Sequence, residues 1–412
     1  MLNLYLRIGQ TALVLALLLN AAVLAAQEKA LGKYTLYLDA DFTTTKAAGV
    51  AIKQGIETAL SEHNFQVNGY QLELITKDHR GNSRRSKKHL DQFVADKQAL
   101  LMFGGLHSPP LLANKSKINN QRILTLVPWA AAGPITRTTG TENWIFRLSI
   151  DDSNAGGFIS QQAISQGFKK PYLLLEDTGW GRSNKRTMSK ALAKLKVKPS
   201  GFSWFNWGIK DNQARILMRK VIDSGADVIF FVGNAPEGKV LINALLSLSS
   251  DIAVRSHWGI TGGDFEQVID AKKREHLHLQ FIQTKFSFVS SPPTSQSNSL
   301  LAKAISRYPE LKSATDIKAP TGFIHAYDLT KILVSAINQV TLTGNRDKDK
   351  LAIKNALENL QQSVAGLIKT YEKPFSNEGT KDSHEALGVN DYAMGSYGQH
   401  NEIKLWPLGQ VK

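Results

Sequence analysis

Cysteine is absent from this sequence of 412 residues. The chain therefore forms no disulfide, thiolate zinc site or iron–sulfur cluster, and it has neither a cysteine nucleophile nor a lipid-modified cysteine anchor. Hydrophobic residues make up 42% of the chain and charged residues 21%, as in an ordinary globular protein. This composition argues against disorder, collagen and coiled coil, and the length suggests about two or three domains.

Long apolar runs are also scarce, because only residues 11–26 approach the length of a membrane span. This run follows Arg7, the one charge near the start, and ends in small residues around Ala25. Such a pattern is typical of a secretory signal peptide, here residues 1–25. The alternative is a membrane anchor, but the run includes Asn20 and is shorter than the roughly 20 residues that a span requires. We therefore expect an exported protein.

Acidic residues are outnumbered, since 50 Lys and Arg against 35 Asp and Glu give a net charge of +15. The basic residues are dispersed, apart from small clusters at 84–88 and 272–274. A nucleic-acid-binding protein more often carries one dense basic stripe with interleaved aromatic residues. We therefore expect no nucleic-acid partner.

Motifs for catalysis are lacking as well. Residues 233–239 spell GxxxxGK, but a phosphate-binding loop requires Ser or Thr next, and Val240 follows. His276 and His278 lie two apart on a predicted strand, which offers too few ligands for a metal site. Neither HExxH nor GxSxG occurs. We expect no cofactor, no metal and no enzymatic activity.

Predicted strands and helices alternate along the chain. Near-continuous apolar runs, such as 99–103, 171–175 and 227–232, are each followed by a helical pattern. Strands of this kind are typical of parallel sheets covered by helices on both faces. About 120 residues of this pattern lie on each side of residue 152, which predicts two α/β lobes.

The candidate binding residues share one position, because each lies in or next to a turn that follows a predicted strand. Ligands of open α/β sheets bind at the carboxyl ends of the strands. Helix N-termini in these turns also offer free N–H groups that suit a carboxylate. The residues are Ser108, Trp129, Ala130 and Ala131 in the first half, and Asp152, Trp180, Asn234 and Thr261 in the second. The alternative interpretation of each is ordinary turn and helix-capping chemistry.

Seven segments, in this order, resemble the leucine/isoleucine/valine-binding family of periplasmic solute-binding proteins, the type I periplasmic binding proteins. The segments are LELITKDHRGNSRRSKKHLDQFV, MFGGLHSPP, ILTLVPWAAAGPIT, WIFRLSIDDSNAGG, YLLLEDTGWGRS, ADVIFFVGNAPEG and HWGITGGDF. The resemblance runs from about residue 33 to 370.

The resemblance implies two Rossmann-like lobes with parallel sheets, three crossovers acting as a hinge, and a ligand cleft between the lobes. It places the crossings near residues 151, 284 and 370. The implied first lobe is 26–151 plus 285–370, and the implied second lobe is 152–284 plus 371–412.

The resemblance also implies roles for single residues. In amino-acid-binding relatives, the serine matching Ser108 and the backbone matching Trp129 to Ala131 hold the ligand carboxylate. The aspartate matching Asp152 helps to hold the ammonium group, and the aromatic residue matching Trp180 covers the side chain.

Four positions depart from the family pattern. Ala131 replaces a threonine that grips the ligand, and Thr261 replaces an acidic partner of the ammonium group. Ala235 and Ala48 replace aromatic residues. A hydrogen bond to a charged group contributes about 1.5–3 kcal/mol, so two such losses weaken an ordinary branched-chain amino acid about 100-fold.

The signal peptide, the missing cysteine and the resemblance together predict an exported, periplasmic solute-binding protein. It would be a monomer that closes on a small polar ligand, amino-acid-like or anionic. It would present that ligand to an ABC permease or a membrane sensor. One alternative is a ligand-free regulatory or scaffold relative, which a collapsed cleft filled by side chains would favour. The other is an exported α/β hydrolase, which would require a base–nucleophile pair or a metal in the cleft.

Overall fold

The computed structural model describes residues 30–137, 142–380 and 382–406. The predicted signal peptide, residues 1–25, lies outside these described residues. Among the helices that are described, none combines the length and apolarity required to cross a bilayer.

The strands are β1 (Gly32–Ala40), β2 (Gln66–Val67), β3 (Tyr70–Asp78), β4 (Ala99–Gly104), β5 (Thr125–Val127), β6 (Ile145–Arg147), β7 (Pro171–Glu176), β8 (Gly201–Phe205), β9 (Val228–Val232), β10 (Ala253–Ser256), β11 (Gln280–Thr284), β12 (Val364–Ala365), β13 (Thr370–Tyr371), β14 (Tyr392–Tyr397) and β15 (Ile403–Leu405). The α-helices are Lys46–Ser61, Ser83–Ala95, Ser108–Asn120, Asp152–Ser165, Gly179–Lys194, Asp211–Asp223, Ala235–Ser247, Phe265–Val268, Ala271–His276, Ser295–Arg307, Pro320–Asn338 and Arg346–Glu358.

The first lobe is built on a sheet with the order β2-β3-β1-β4-β5-β6. Its neighbouring strands pair in parallel, except that β2 pairs with β3 antiparallel. All residues of β4 are buried, as the continuous apolar run predicts. The helix Pro320–Asn338 returns to this lobe and packs on the helix Lys46–Ser61. A Cβ at Gly55 would clash with the carbonyl of Phe323, so glycine permits this close approach.

The second lobe is built on a sheet with the order β15-β14-β11-β10-β9-β7-β8. The strands from β11 to β8 are parallel, whereas β14 and β15 add antiparallel to the edge at β11. The polar, turn-rich tail therefore completes this sheet. The two-lobed α/β architecture confirms the predicted fold class.

The chain crosses between the lobes three times. The first crossing follows β6 near Asp151, and the second follows β11 near Thr284. The third crossing comes later in the chain than its predicted position near residue 370. Arg147 of β6 exchanges backbone hydrogen bonds with His384 and Ala386, so this stretch extends the first sheet and the crossing comes after residue 386. We propose the predicted lobe boundaries with residues 371–387 moved to the first lobe.

One local prediction is wrong. His276 ends a short helix and His278 follows it with a positive φ of 43°, so the two histidines do not share a strand. The helix that follows β9 begins at Ala235, because Pro236 suits the first turn of a helix. The helix that follows β7 begins at Gly179.

One buried arginine connects the crossings to the first sheet. The Arg147 guanidinium is fully buried and donates to the Glu385 carboxylate at 2.7 and 2.8 Å. It lies 3.0 Å from the Asp151 carboxylate and donates to the Ala132 carbonyl at 2.9 Å. Burial favours a higher pKa for Asp151, but the charges of Arg147 and Arg137 outweigh burial and hold that pKa below its ordinary value.

Arg147→Met is expected to lower the free energy of unfolding by about 3–5 kcal/mol, because it leaves the buried Glu385 carboxylate without its cation, while Asp151 keeps Arg137. Urea unfolding at neutral pH measures this change. The control is Arg182→Met, which removes an exposed guanidinium paired with Asp177 and is expected to cost less than about 1 kcal/mol. Equal losses in both variants would contradict the role given to Arg147.

Candidate functional site between the lobes

The carboxyl ends of strands from both lobes face each other across a narrow space. The remaining cavity measures about 10 Å³. Its lining residues are Leu106, His107, Ser108, Pro109, Trp129, Ala131, Glu176, Trp180, Asn234, Trp258 and Gly259. A space of this size holds about one water molecule.

The first-lobe wall is held by hydrogen bonds within that lobe. Ser108 begins the helix Ser108–Asn120, and its Oγ accepts from the Ala132 N–H at 3.2 Å. Ser149 Oγ donates to the Trp129 carbonyl at 2.6 Å. Because Arg147 also holds the Ala132 carbonyl, this loop is positioned before any ligand arrives.

The second-lobe wall is centred on Asp152, which begins the helix Asp152–Ser165 and is fully buried. Its Oδ1 accepts from Trp180 Nε1 at 3.2 Å and lies 3.0 Å from His257 Nε2. His257 Nδ1 accepts from the Trp258 N–H, which places the imidazole proton on Nε2 as a donor to Asp152. Burial raises the pKa of Asp152.

Glu176 supplies a second buried carboxylate, at the end of β7. Its Oε2 accepts from Trp207 Nε1 and from Asn234 Nδ2, both at 3.0 Å. Burial raises the pKa of Glu176 to about 7, although hydrogen bonds from Thr178 and Trp207 oppose the rise. This carboxyl group therefore changes charge near neutral pH.

Tryptophan rings from both lobes line the space between them. The rings of Trp129 and Trp258 lie edge to face, with centroids 6.0 Å apart, and join the two lobes. Gly259 allows a close approach, because a Cβ there would lie 2.6 Å from the Gly233 carbonyl and 2.9 Å from the Trp180 ring. His107 contacts the Trp207 ring at a centroid distance of 5.0 Å.

Several buried polar atoms around this space have no hydrogen-bond partner. They are Asp152 Oδ2, Trp129 Nε1 and His107 Nδ1. Buried polar atoms are normally satisfied, so these three can bind polar groups of a ligand. Among the described residues that line the cavity, none is Lys or Arg. The lining therefore favours a ligand with a cationic group over an anion.

His107 also meets a hydroxyl and a carboxylate. Its Nε2 lies 3.3 Å from Thr45 Oγ1 and 3.0 Å from Asp41 Oδ2. A hydrolytic base instead places nucleophile and carboxylate on its two different nitrogens. Both contacts here use one nitrogen, so this cluster does not support the hydrolase alternative. Within the described ranges, no group of three or more His, Asp and Glu side chains could hold a metal ion.

Five of the eight predicted binding residues line the cavity: Ser108, Trp129, Ala131, Trp180 and Asn234. The other three, Ala130, Asp152 and Thr261, are buried outside the lining, and the Thr261 hydroxyl donates to the Trp258 carbonyl. Their role in ligand binding stays a prediction. Glu176, His107 and Trp258 were not among the predicted site residues, although each stands in or beside a turn after a strand.

The family model described as periplasmic binding protein matches residues 38–382. The chain therefore belongs to the periplasmic binding protein family, as the seven segments indicate.

Individual relatives agree with this assignment. The Leu/Ile/Val-binding protein homolog 2 of Brucella abortus is 25% identical over 214 residues, which cover 50% of this chain and 55% of that protein. The chain thus spans about half the length of this curated relative. The periplasmic binding protein type 1 of Bordetella pertussis superposes with a TM-score of 0.75 at 16% identity, over 91% of this chain and 100% of that one. The branched-chain amino acid substrate-binding protein of Streptococcus pneumoniae, in complex with isoleucine, gives 0.73 at 18% identity, over 91% and 99%.

Glu176→Gln is expected to flatten the pH dependence of stability. The folded-state pKa of about 7 exceeds the ordinary 4.5, so the native state binds this proton more tightly than the unfolded state. Wild-type stability therefore falls as pH rises from about 4.5 to 7. We therefore compare the free energy of unfolding of Glu176→Gln with that of wild type. This difference should be roughly 1–3 kcal/mol more favourable to the variant at about pH 8 than at about pH 4.5.

Urea unfolding at both pH values measures this difference. Asp177→Asn is the control, because Asp177 is the neighbouring, partly exposed carboxylate and pairs with Arg182. A pH profile of Glu176→Gln that parallels wild type would contradict the titration of Glu176 near neutrality.

Proposed function

We propose that this protein is exported, captures one small polar ligand between its lobes by hinge closure, and presents it to an ABC permease or a membrane sensor. It acts as a monomer and carries out no catalysis. Membership of the periplasmic binding protein family supports this proposal. So does the position of the cavity, at the carboxyl ends of strands from both lobes.

The observation that carries the proposal is the set of unpartnered polar atoms beside the cavity. Asp152 Oδ2 is an acceptor and Trp129 Nε1 is a donor, and both are buried. A molecule that pairs with them removes a desolvation cost of about 1–3 kcal/mol for each atom. An empty, fully apolar cleft would offer no such gain.

We propose an amine-bearing ligand, amino-acid-like in size and chemistry. An ammonium group can pair with the free Oδ2 of Asp152, and tryptophan faces attract cations. An anionic ligand has less support. Among the described residues, the cavity lining contains the Glu176 carboxylate and no Lys or Arg.

The cavity of about 10 Å³ sets a condition on binding. A molecule of amino-acid size enters only if the lobes separate or if Trp180 moves. The Trp180 Nε1–H occupies one oxygen of Asp152, and an ammonium donor can replace it there. Ligand binding thus exchanges one donor to Asp152 for another while the lobes close around the ligand.

The filled cleft also favours a second candidate function, a regulatory or scaffold protein that keeps the fold without a ligand. In that case Trp180, His257 and Trp258 form a permanent plug between the lobes. The substitutions at Ala131, Ala235 and Thr261, which remove family ligand contacts, agree with this candidate.

A thermal-shift screen of unfolded and refolded mature protein separates the two functions. The panel comprises amino acids, polyamines, amides, dicarboxylates and aromatic acids. A ligand at about 100 times its Kd stabilises by about 2.7 kcal/mol, which is a shift of a few degrees. The solute-binding function predicts such a shift from an amine-bearing class. No shift from any class would favour the ligand-free regulator.

Ser108→Ala combined with Asp152→Asn is expected to weaken the ligand found in this screen about 100-fold, since two polar contacts are lost. The asparagine keeps an acceptor for Trp180 and His257, so the variant should remain folded. Calorimetric titration measures the affinity. Asp177→Asn serves as control, and unchanged affinity in the double variant would refute the site assignment.

A further inference from the structure

A second and larger cavity lies at the hinge side of the two lobes. It measures about 180 Å³, against about 10 Å³ for the cleft described above. Residues 314–320 of the first lobe, residues 287–289 of the second crossing and residues 400–403 of the second lobe contribute to its walls. Glu266 and Gln267, also of the second lobe, complete the lining.

Glu266 is the unusual member of this lining. The residue is only 5% exposed, and its Oε2 has no hydrogen-bond partner. The neighbouring Arg274 does not satisfy it: the Arg274 Nη1 and Nη2 atoms donate to four other oxygens, and Arg274 Nε has no hydrogen-bond partner either. Burial raises the pKa of Glu266, although hydrogen bonds from its own backbone N–H and from Gln267, together with the charge of Arg274, oppose the rise. A buried carboxylate oxygen without a donor is costly, so it is a strong acceptor for a ligand.

The other charged groups of this cavity are already engaged or lie toward solvent. Glu402 pairs with Lys404 at 2.7 Å, and Lys318 is exposed. Phe288 and Ile317 provide apolar walls beside Glu266. The volume is below the roughly 300–1,000 Å³ of pockets for drug-sized ligands, so it suits a molecule of a few heavy atoms.

We propose that this hinge cavity is a second ligand site, in which Glu266 binds the ammonium group of a small aliphatic amine. The aliphatic chain packs on Phe288 and Ile317. Because the walls come from both lobes, the occupant contacts all of them only when the lobes are arranged as in this structure. Occupancy therefore favours this arrangement. The hinge cavity can bind an amine whether or not the cleft binds a ligand.

Calorimetric titration of n-butylamine in an amine-free buffer tests this site, with n-butanol and butyrate as the neutral and anionic probes. Wild type should bind the amine and neither of the other probes. Glu266→Gln keeps the shape and removes the charge, and it should weaken the amine at least 10-fold. Asp264→Asn is the matched control, because Asp264 is an exposed carboxylate nearby that pairs with Lys239.

Two further variants make the result decisive. Val289→Trp extends a large ring from an exposed residue of the lining, and it should abolish binding even if Glu266→Gln does not fold. Ser108→Ala combined with Asp152→Asn removes any binding of the amine in the cleft, so the binding that this variant retains is that of the hinge cavity. Binding that survives both hinge-cavity variants, or that is lost only in the cleft variant, would overturn the second site. Absence of amine binding to wild type would also overturn it and leave the cleft proposal standing.

Discussion

The buried Arg147 guanidinium is the constraint on which the arrangement of this protein depends. It joins the end of the first sheet, the loop that forms the first-lobe wall of the cleft, and two of the three crossings. A buried cation of this kind is tolerated only because the carboxylates of Asp151 and Glu385 surround it. The cleft wall and two of the crossings therefore share one buried ion-pair cluster.

The second lobe presents a different chemistry to this wall. Asp152 and Glu176 are buried carboxylates, and Trp180 and Trp258 fill the space in front of them. Such a surface is poorly matched to an anion and well matched to a cation, since charge and aromatic faces act in the same direction. In the proposed function, a ligand displaces Trp180 from Asp152 and takes over this hydrogen bond.

Most of the fold follows from local patterns in the sequence. Apolar runs mark the buried parallel strands, such as residues 99–103, which form most of β4. The third crossing could not be read locally, because the stretch near Glu385 is polar and is held by Arg147, 238 positions earlier. Ser108, Trp129 and Trp180 could be assigned to the cleft from the sequence, because each lies in a turn that follows a predicted strand. The partnership of Glu176 with Trp207 and Asn234 depends on tertiary packing that no periodicity encodes.

Closure of the lobes across the cleft is the central claim, and a cysteine pair tests it most directly. The Ala48 N–H donates to the Gly262 carbonyl at 3.2 Å across the lobes, and a Cβ at Gly262 would lie 3.6 Å from that of Ala48. This separation lies within the range of about 3.5–4.5 Å found in disulfides. The measurement is the oxidation of Ala48→Cys/Gly262→Cys in a Leu106→Ala background, which removes the side chain that would obstruct the new Cβ. The chain has no other thiol, so a rapid, nearly complete intramolecular disulfide is the predicted result. Thiols that stay reduced in the folded protein, with or without amine-bearing ligands, would contradict closure.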